Sequence, residues 1–242
     1  MPAGPGRAIS LGERTVVIKL VWCLRRAEGI AREELAHRTI ADYAPLALAS
    51  QPGARSVAVH LAEKESARCD GVSFWSIESD EHDGGLSLPA VREADGRLAD
   101  LSKQLFASAH GWLVDEVIHW DHLPPAPWSV PTPGVQMIAF VRRRSGVSPA
   151  EFEERYREHA EIARIHHPGI ARYVQSFVRS SVTREAPPLD AVAQLCFARR
   201  EDFAERFYRD ESSREIVDAD VERFLDRSRT WSVLTVERVL QR

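Results

Sequence analysis

Five prolines crowd the segment DHLPPAPWSVPTPG, residues 121–134, at positions 124, 125, 127, 131 and 133. Each one removes a backbone donor and fixes φ, so neither a helix nor a central strand can run through the segment. It reads as a linker, and it falls almost at the midpoint of a 242-residue chain. A chain of this length can be one large domain or two of ordinary size. What flanks the linker decides between them.

The flanks repeat each other. VVIKLVWCLRRAEGIAREEL at 16–35 resembles VQMIAFVRRRSGVSPAEF at 135–152: an apolar strand, a basic cluster, a Gly turn and an acidic helix start. ADYAPLALASQPGARSVAVH at 41–60 matches EHAEIARIHHPGIARYVQSF at 158–177, placing Pro52-Gly53 over Pro168-Gly169. CDGVSFWSIE at 69–78 matches LDAVAQLCFA at 189–198, with Asp70 over Asp190. Helical stretches at 97–109 and 200–226 then lead to closing strands at 112–120 and 231–239, which open with Trp112 and Trp231. Matching order at successive elements predicts an internal duplication: repeats at 14–120 and 135–242, joined by the linker at 121–134 and preceded by a flexible tail at 1–13.

Each repeat reads β-α-β-β-α-β, the ferredoxin-like unit with two helices on one face of a four-stranded antiparallel sheet. The helix expected at 148–166 has Phe152, Tyr156, Ala160 and Ala163 on one face, with Ser148 as N-cap, Pro149 in the first turn and Glu151 completing a capping box. Each sheet would keep one bare face. The predicted fold class is therefore α+β, with the two sheets pairing into one intramolecular eight-stranded barrel, helices outside and a small-molecule cavity expected within.

Composition narrows the function classes. At 44% hydrophobic, 28% charged and a net charge of −4, the chain is too apolar for disorder and too balanced for a phosphate-coating nucleic-acid binder. Cys23, Cys69 and Cys196 are odd in number and far apart, so buried free thiols in a reducing, cytoplasmic setting are expected. The first residues, MPAGPGRAISLGER, lack the apolar core of a signal peptide, and no run approaches the roughly 18 apolar residues of a membrane span, so no membrane partner is expected. No GxGxxG, P-loop or GxSxG motif occurs.

A few polar residues stand out by position. Lys19 and Gln136 hold matching places in the first strand of each repeat, among apolar neighbours, and Gln194 is similar in the third strand. A polar side chain there points either to solvent, snorkelling at the strand's end, or into a polar cavity; the cavity is expected, and a lysine in it could polarise a carbonyl or hold a carboxylate or enolate. His60 and His119 end strands singly. His166 and His167 are adjacent, so they splay by about 100° on a helix and cannot share a metal as an i, i+4 pair would. His119 and His122 have a usable spacing but no third ligand near, and no metal site is expected. Trp22, Phe74, Trp75, Phe140, Phe177 and Phe197 fall in strands, where some could line an apolar cavity.

The second repeat resembles the EthD-like branch of the dimeric α+β barrel superfamily. Phe152, Tyr156 and His159 on the first helix carry the resemblance, with Pro168-Gly169, the run Arg172-Tyr173-Val174-Gln175, strand 189–193, Asp220 to Phe224, and the run at 230–234. The first repeat is a degenerate copy, with Leu35, Thr39 and Tyr43 in place of Phe, aromatic and His, followed by Ala44-Pro45-Leu46. The resemblance implies the barrel and leaves the reaction open, since relatives include isomerases, cyclases, dehydratases, cofactor-free monooxygenases and haem-binding oxygenases or peroxidases. It points to His159 for proton transfer, with Tyr43 and Lys19 as further catalytic candidates, and with Gln136, Tyr156, Gln194, Asp42 and Trp22 toward substrate. Two readings follow. One is a cofactor-independent isomerase, cyclase or dehydratase acting on a hydrophobic aromatic or polyketide-like molecule, with a haem enzyme as the minor variant. The other is a non-catalytic carrier of such a molecule. A homodimer of the tandem chain is compatible with both.

Overall fold

The structure, a computed structural model, describes residues 15–51, 53–66, 68–80 and 96–241. The expected tail at 1–13 and Pro52 lie outside them. The first repeat runs β1 (Thr15–Arg26), α1 (Arg32–Arg38), a π-helical turn (Thr39–Tyr43), α2 (Ala44–Ser50), β2 (Ala54–Ala62), β3 (Gly71–Asp80), α3 (Gly96–Leu105) and β4 (Phe106–Asp121). The second runs β5 (Val135–Val141), α4 (Pro149–His166), β6 (Ile170–Ser181), β7 (Ala191–Phe197), α5 (Arg200–Glu205), α6 (Glu211–Val221) and β8 (Trp231–Gln241). None of the helices among the described residues is long and apolar enough to cross a membrane.

The eight strands close into one antiparallel barrel in the order β1-β3-β2-β8-β5-β7-β6-β4. Each repeat keeps the order 4-1-3-2, and two seams join them: β2 pairs with β8 and β4 with β6. The duplication is written into the hydrogen bonds. Asp70 accepts from the Arg26 backbone N–H at 2.9 Å, and Asp190 accepts from that of Arg143 at 3.0 Å. Gly29 and Gly146 take φ of 82° and 87° at the turn before each first helix, a conformation that costs a residue without Cβ little.

Two boundaries differ from expectation. The helix read at 97–109 stops at Leu105, because Phe106 and Ser108 pair with Arg26 and Arg25 and extend β4 backwards. The stretch at 200–226 breaks into α5 and α6, since the Asp210 side chain accepts from Ser213 N at 2.7 Å and starts a new helix. For α4, Ser148 caps as expected, accepting from Glu151 N at 3.2 Å. The Glu151 carboxylate, however, pairs with Arg155 at 3.0 Å, one turn on.

The middle of the barrel is packed: Val21, Val72, Phe74, Trp112, Ile138, Phe140, Val192 and Val233 meet there, with Phe140 stacked on Trp231 at 4.1 Å. At one mouth Cys23, Trp112, Phe140 and Trp231 line a cavity of about 470 Å³, so the space expected inside the barrel is confined to its end. Below this apolar layer lies a polar one, with two glutamates in equivalent places on β4 and β8. Glu116 is met by Lys19 at 2.9 Å, which also donates to Ser76 at 2.7 Å. Glu237 is met by Arg172 at 2.5 Å, with His60 at 3.5 Å. All three cysteines are buried and free.

Burial holds His60 neutral, lowering its pKa from the ordinary 6.5 to about 4 in spite of the nearby Glu237. The unfolded chain binds a proton in that window and the folded one does not, so stability must fall as pH drops from 6.5 toward 4. Linkage puts the loss at up to about 3 kcal/mol. Urea unfolding followed between pH 7 and pH 4 is expected to show it, and a His60→Leu variant is expected to show a much flatter profile. An unchanged profile in the variant would place the acid sensitivity elsewhere.

Candidate active site

Helix α4 sets one wall of the site. Phe152, Tyr156, His159, Ala160 and Ala163 recur at helical spacing and are buried against the sheet, while Glu151, Glu154 and Arg155 stay on the other face. Between α4, α6 and the helix-facing side of β5, β6, β7 and β8 lies a cavity of about 400 Å³. Its floor is apolar, with Met137, Ala139, Ala193 and Leu195, and its polar lining includes His159, His167, Tyr156, Tyr173 and Tyr208. The volume is within the ordinary range for a small-molecule site.

His159 is 6% exposed, and its Nδ1 lies 2.8 Å from Oδ2 of Asp220 on α6. A carboxylate only accepts, so Nδ1 is the donor, and in the neutral ring the lone pair is on Nε2. The ring is held between Tyr156 and Phe224, at centroid distances of 6.1 and 5.8 Å. His167, just past the end of α4, bonds through Nδ1 to the Phe207 carbonyl, again an acceptor only. Burial lowers its pKa; the bond to the Phe207 carbonyl and the charge of Asp218 oppose that, while His159 and His166 add to it.

Tyr156 and Tyr173 hold their hydroxyls near one another, and Gln175 fixes them: its Nε2 donates to the Tyr173 hydroxyl at 3.0 Å and to the Tyr156 backbone carbonyl at 2.6 Å. Its Oε1 accepts from His119 Nε2 at 3.0 Å, and the His119 ring stacks on Tyr173. Burial pushes the Tyr173 hydroxyl up to about 12 and that of Tyr156 well above the ordinary tyrosine value. Both remain protonated donors. At the rim, Asp218 is engaged by Arg227 at 2.6 Å and Arg214 at 3.8 Å.

The first repeat has the same elements and no such cavity among its described residues, and side-chain size is the reason. The register equates Trp22 with Ala139, Trp75 with Leu195 and Tyr43 with His159. Trp22 and Trp75 pack at 5.7 Å, and Tyr43 packs on Trp75 and Phe106, filling the space between sheet and helix. Each buried indole contributes on the order of 4–6 kcal/mol of hydrophobic free energy. Trp22 fits only because Gly111 lies opposite, where a Cβ would come within 2.6 Å of the indole; Ser232 faces Ala139 at the same place in the second repeat.

The candidates from sequence therefore separate. His159 and Tyr156 share the cavity. Tyr43 and Trp22 belong to the filled first repeat, and Asp42 is exposed on the helix surface, 3.8 Å from Arg38. Lys19, Gln136 and Gln194 point into the barrel, on the other side of the sheet from His159; both amide atoms of Gln136 are buried without a hydrogen-bond partner among the described residues. Lys19 is committed to Glu116 and Ser76, so the expected partnership of Lys19 with His159 in one cavity is corrected: opposite faces of a strand cannot meet. Asp220, His167, Tyr173 and Gln175 complete the site. Asp220 opens the run at 220–224 that shares in the family resemblance, but no spacing pairs it with His159, which lies 61 residues away in sequence.

Residues 144–228 match the EthD domain. No curated protein matches the chain. Among solved structures, an anthrone oxidase-like protein is similar at 12% identity and a TM-score of 0.65, covering 96% of this chain and 95% of its own. A protein from Fusobacterium nucleatum, provisionally named a monooxygenase, is similar at 9% identity and a TM-score of 0.55, covering 93% of each chain. A protein of Lactobacillus acidophilus with the same provisional name follows at 10% identity and 0.52, covering 93% of this chain and 96% of its own. At such identities the likeness is one of fold. The second repeat is similar to the EthD domain over residues 144–228, and the chain as a whole folds as an intramolecular dimeric α+β barrel.

Proposed function

We propose that the protein is an enzyme in which His159 acts as general base, removing a proton from carbon in a hydrophobic ring ketone bound in the second-repeat cavity. The observation that carries this reading is the 2.8 Å bond between His159 Nδ1 and Asp220 inside a cavity lined mainly by apolar and aromatic groups. The carboxylate fixes the tautomer and stabilises the imidazolium that forms, as the acidic member of a catalytic triad does. In the proposed step, Nε2 takes the proton and the C–H electron pair moves to the ketone oxygen, giving an enolate. The buried Tyr173 hydroxyl, which accepts from Tyr156 and Gln175, is suited to donate to that oxygen. Water exclusion strengthens both interactions.

The enolate can be reprotonated at another carbon, expel a leaving hydroxyl, or react with dioxygen. The first two outcomes are isomerase- or dehydratase-like and need no cofactor. The name of the anthrone oxidase-like neighbour favours a fused-ring ketone as the first substrate to try.

Deuterium exchange from D₂O into anthrone, followed by mass spectrometry, tests the step. His159→Ala is expected to slow exchange by about 10²–10⁴-fold, and Asp220→Asn, which no longer fixes the tautomer, by a similar factor. Exchange at the wild-type rate in both variants would remove His159 from the chemistry. Copying the first repeat gives a second check. Ala139→Trp combined with Ser232→Gly is expected to fill the cavity, abolish ligand uptake and leave the melting temperature unchanged or higher.

A further inference from the structure

The cavity holds two histidines, and the sequence reading set one aside. His159 and His167 each give Nδ1 to an acceptor, so each presents Nε2 with its lone pair. The acceptors differ. A carboxylate behind His159 rewards positive charge on the ring, whereas the backbone carbonyl of Phe207 behind His167 offers only a neutral dipole. His167 is 5% exposed and packed against Phe207 and Tyr208 at 4.8 and 4.9 Å, where a positive ring would be poorly solvated. Its Nε2 has no protein partner among the described residues, although the residue lines the cavity.

We infer that His167 is a specificity-determining residue whose Nε2 accepts a hydrogen bond from a hydroxyl of the ligand, and that the substrate class is a hydroxylated aromatic or enolic ring ketone. This rests on the reading of the cavity as the substrate site. A buried nitrogen lone pair in an apolar cavity has one natural partner, a neutral O–H or N–H donor, because a ligand lacking the donor leaves the nitrogen desolvated and unpaired. A phenolic or enolic hydroxyl supplies the donor, and the ring carbonyl of the same molecule can accept from the Tyr173 hydroxyl. Division of labour follows. His159 moves the proton, and His167 selects which ring enters and how it is turned.

Calorimetric titration with 1-naphthol and 1-methoxynaphthalene tests this, since O-methylation removes the donor, and the His167 variants separate that loss from the bulk of the added methyl group. The wild type is expected to favour 1-naphthol by about 10- to 100-fold. His167→Asn keeps a donor for the Phe207 carbonyl and loses the acceptor at the Nε2 position, so the preference is expected to collapse while 1-methoxynaphthalene still binds. His167→Gln places an amide oxygen near that position and is expected to recover part of the preference. His159→Ala is expected to leave it intact. A collapse in His159→Ala with persistence in His167→Asn would overturn the assignment and leave the cavity reading standing. Binding of neither compound to the wild type would overturn both.

Discussion

A four-stranded sheet with helices on one face leaves a bare face and two edge strands whose N–H and C=O groups lack partners. The seams β2–β8 and β4–β6 remove both liabilities together, because each joins an edge strand of one repeat to an edge strand of the other. Once the seams form, the barrel interior meets solvent only at its mouths, and a cavity opens at one of them. The cavity that holds His159 lies on the other side of the sheet, under the helices.

Within that frame the repeats differ in a handful of side chains. Trp22 against Ala139, Trp75 against Leu195, Tyr43 against His159 and Gly111 against Ser232 convert one sheet–helix interface into solid core and the other into a chamber. The filled repeat still contributes to the open one. Strand β8 forms part of the cavity wall through Trp231 and Ser232 and is pinned along its outer edge by β2. The first repeat's dense core is in effect the rigid mount for that wall.

How much of this was legible in the chain alone follows the range of each interaction. The duplication, the linker, the Ser148 cap and the buried face of α4 are written in short-range patterns, and they could be read directly. The face of each strand could not, because strand periodicity gives alternation without saying which side is inward. Lys19 and Gln136 were correctly singled out as polar among apolar neighbours, yet they serve the buried layer with Glu116 and Glu237, while the cavity is on the opposite face. Asp220 belongs to a run that the sequence marks, but its role does not show there, because its pairing with His159 exists only after α6 docks on α4. His167 was hidden by its neighbour, since an adjacent His pair suggests a metal question when the informative partner is the Phe207 carbonyl.

The π-helical turn at Thr39–Tyr43 carries a historical meaning. Gly29 and Gly146 are one residue further apart in sequence than Gly53 and Gly169, although both pairs occupy equivalent places, so the first repeat holds one residue more between them. An extra residue in an α-helix would rotate everything after it by about 100°. The wide turn absorbs it instead, and Ala44 and Ala47 keep the same buried face as Ala160 and Ala163. The two copies thus differ by a length change that was healed where it occurred. The scar lies in the turn that ends at Tyr43, the residue standing where the other copy has its histidine.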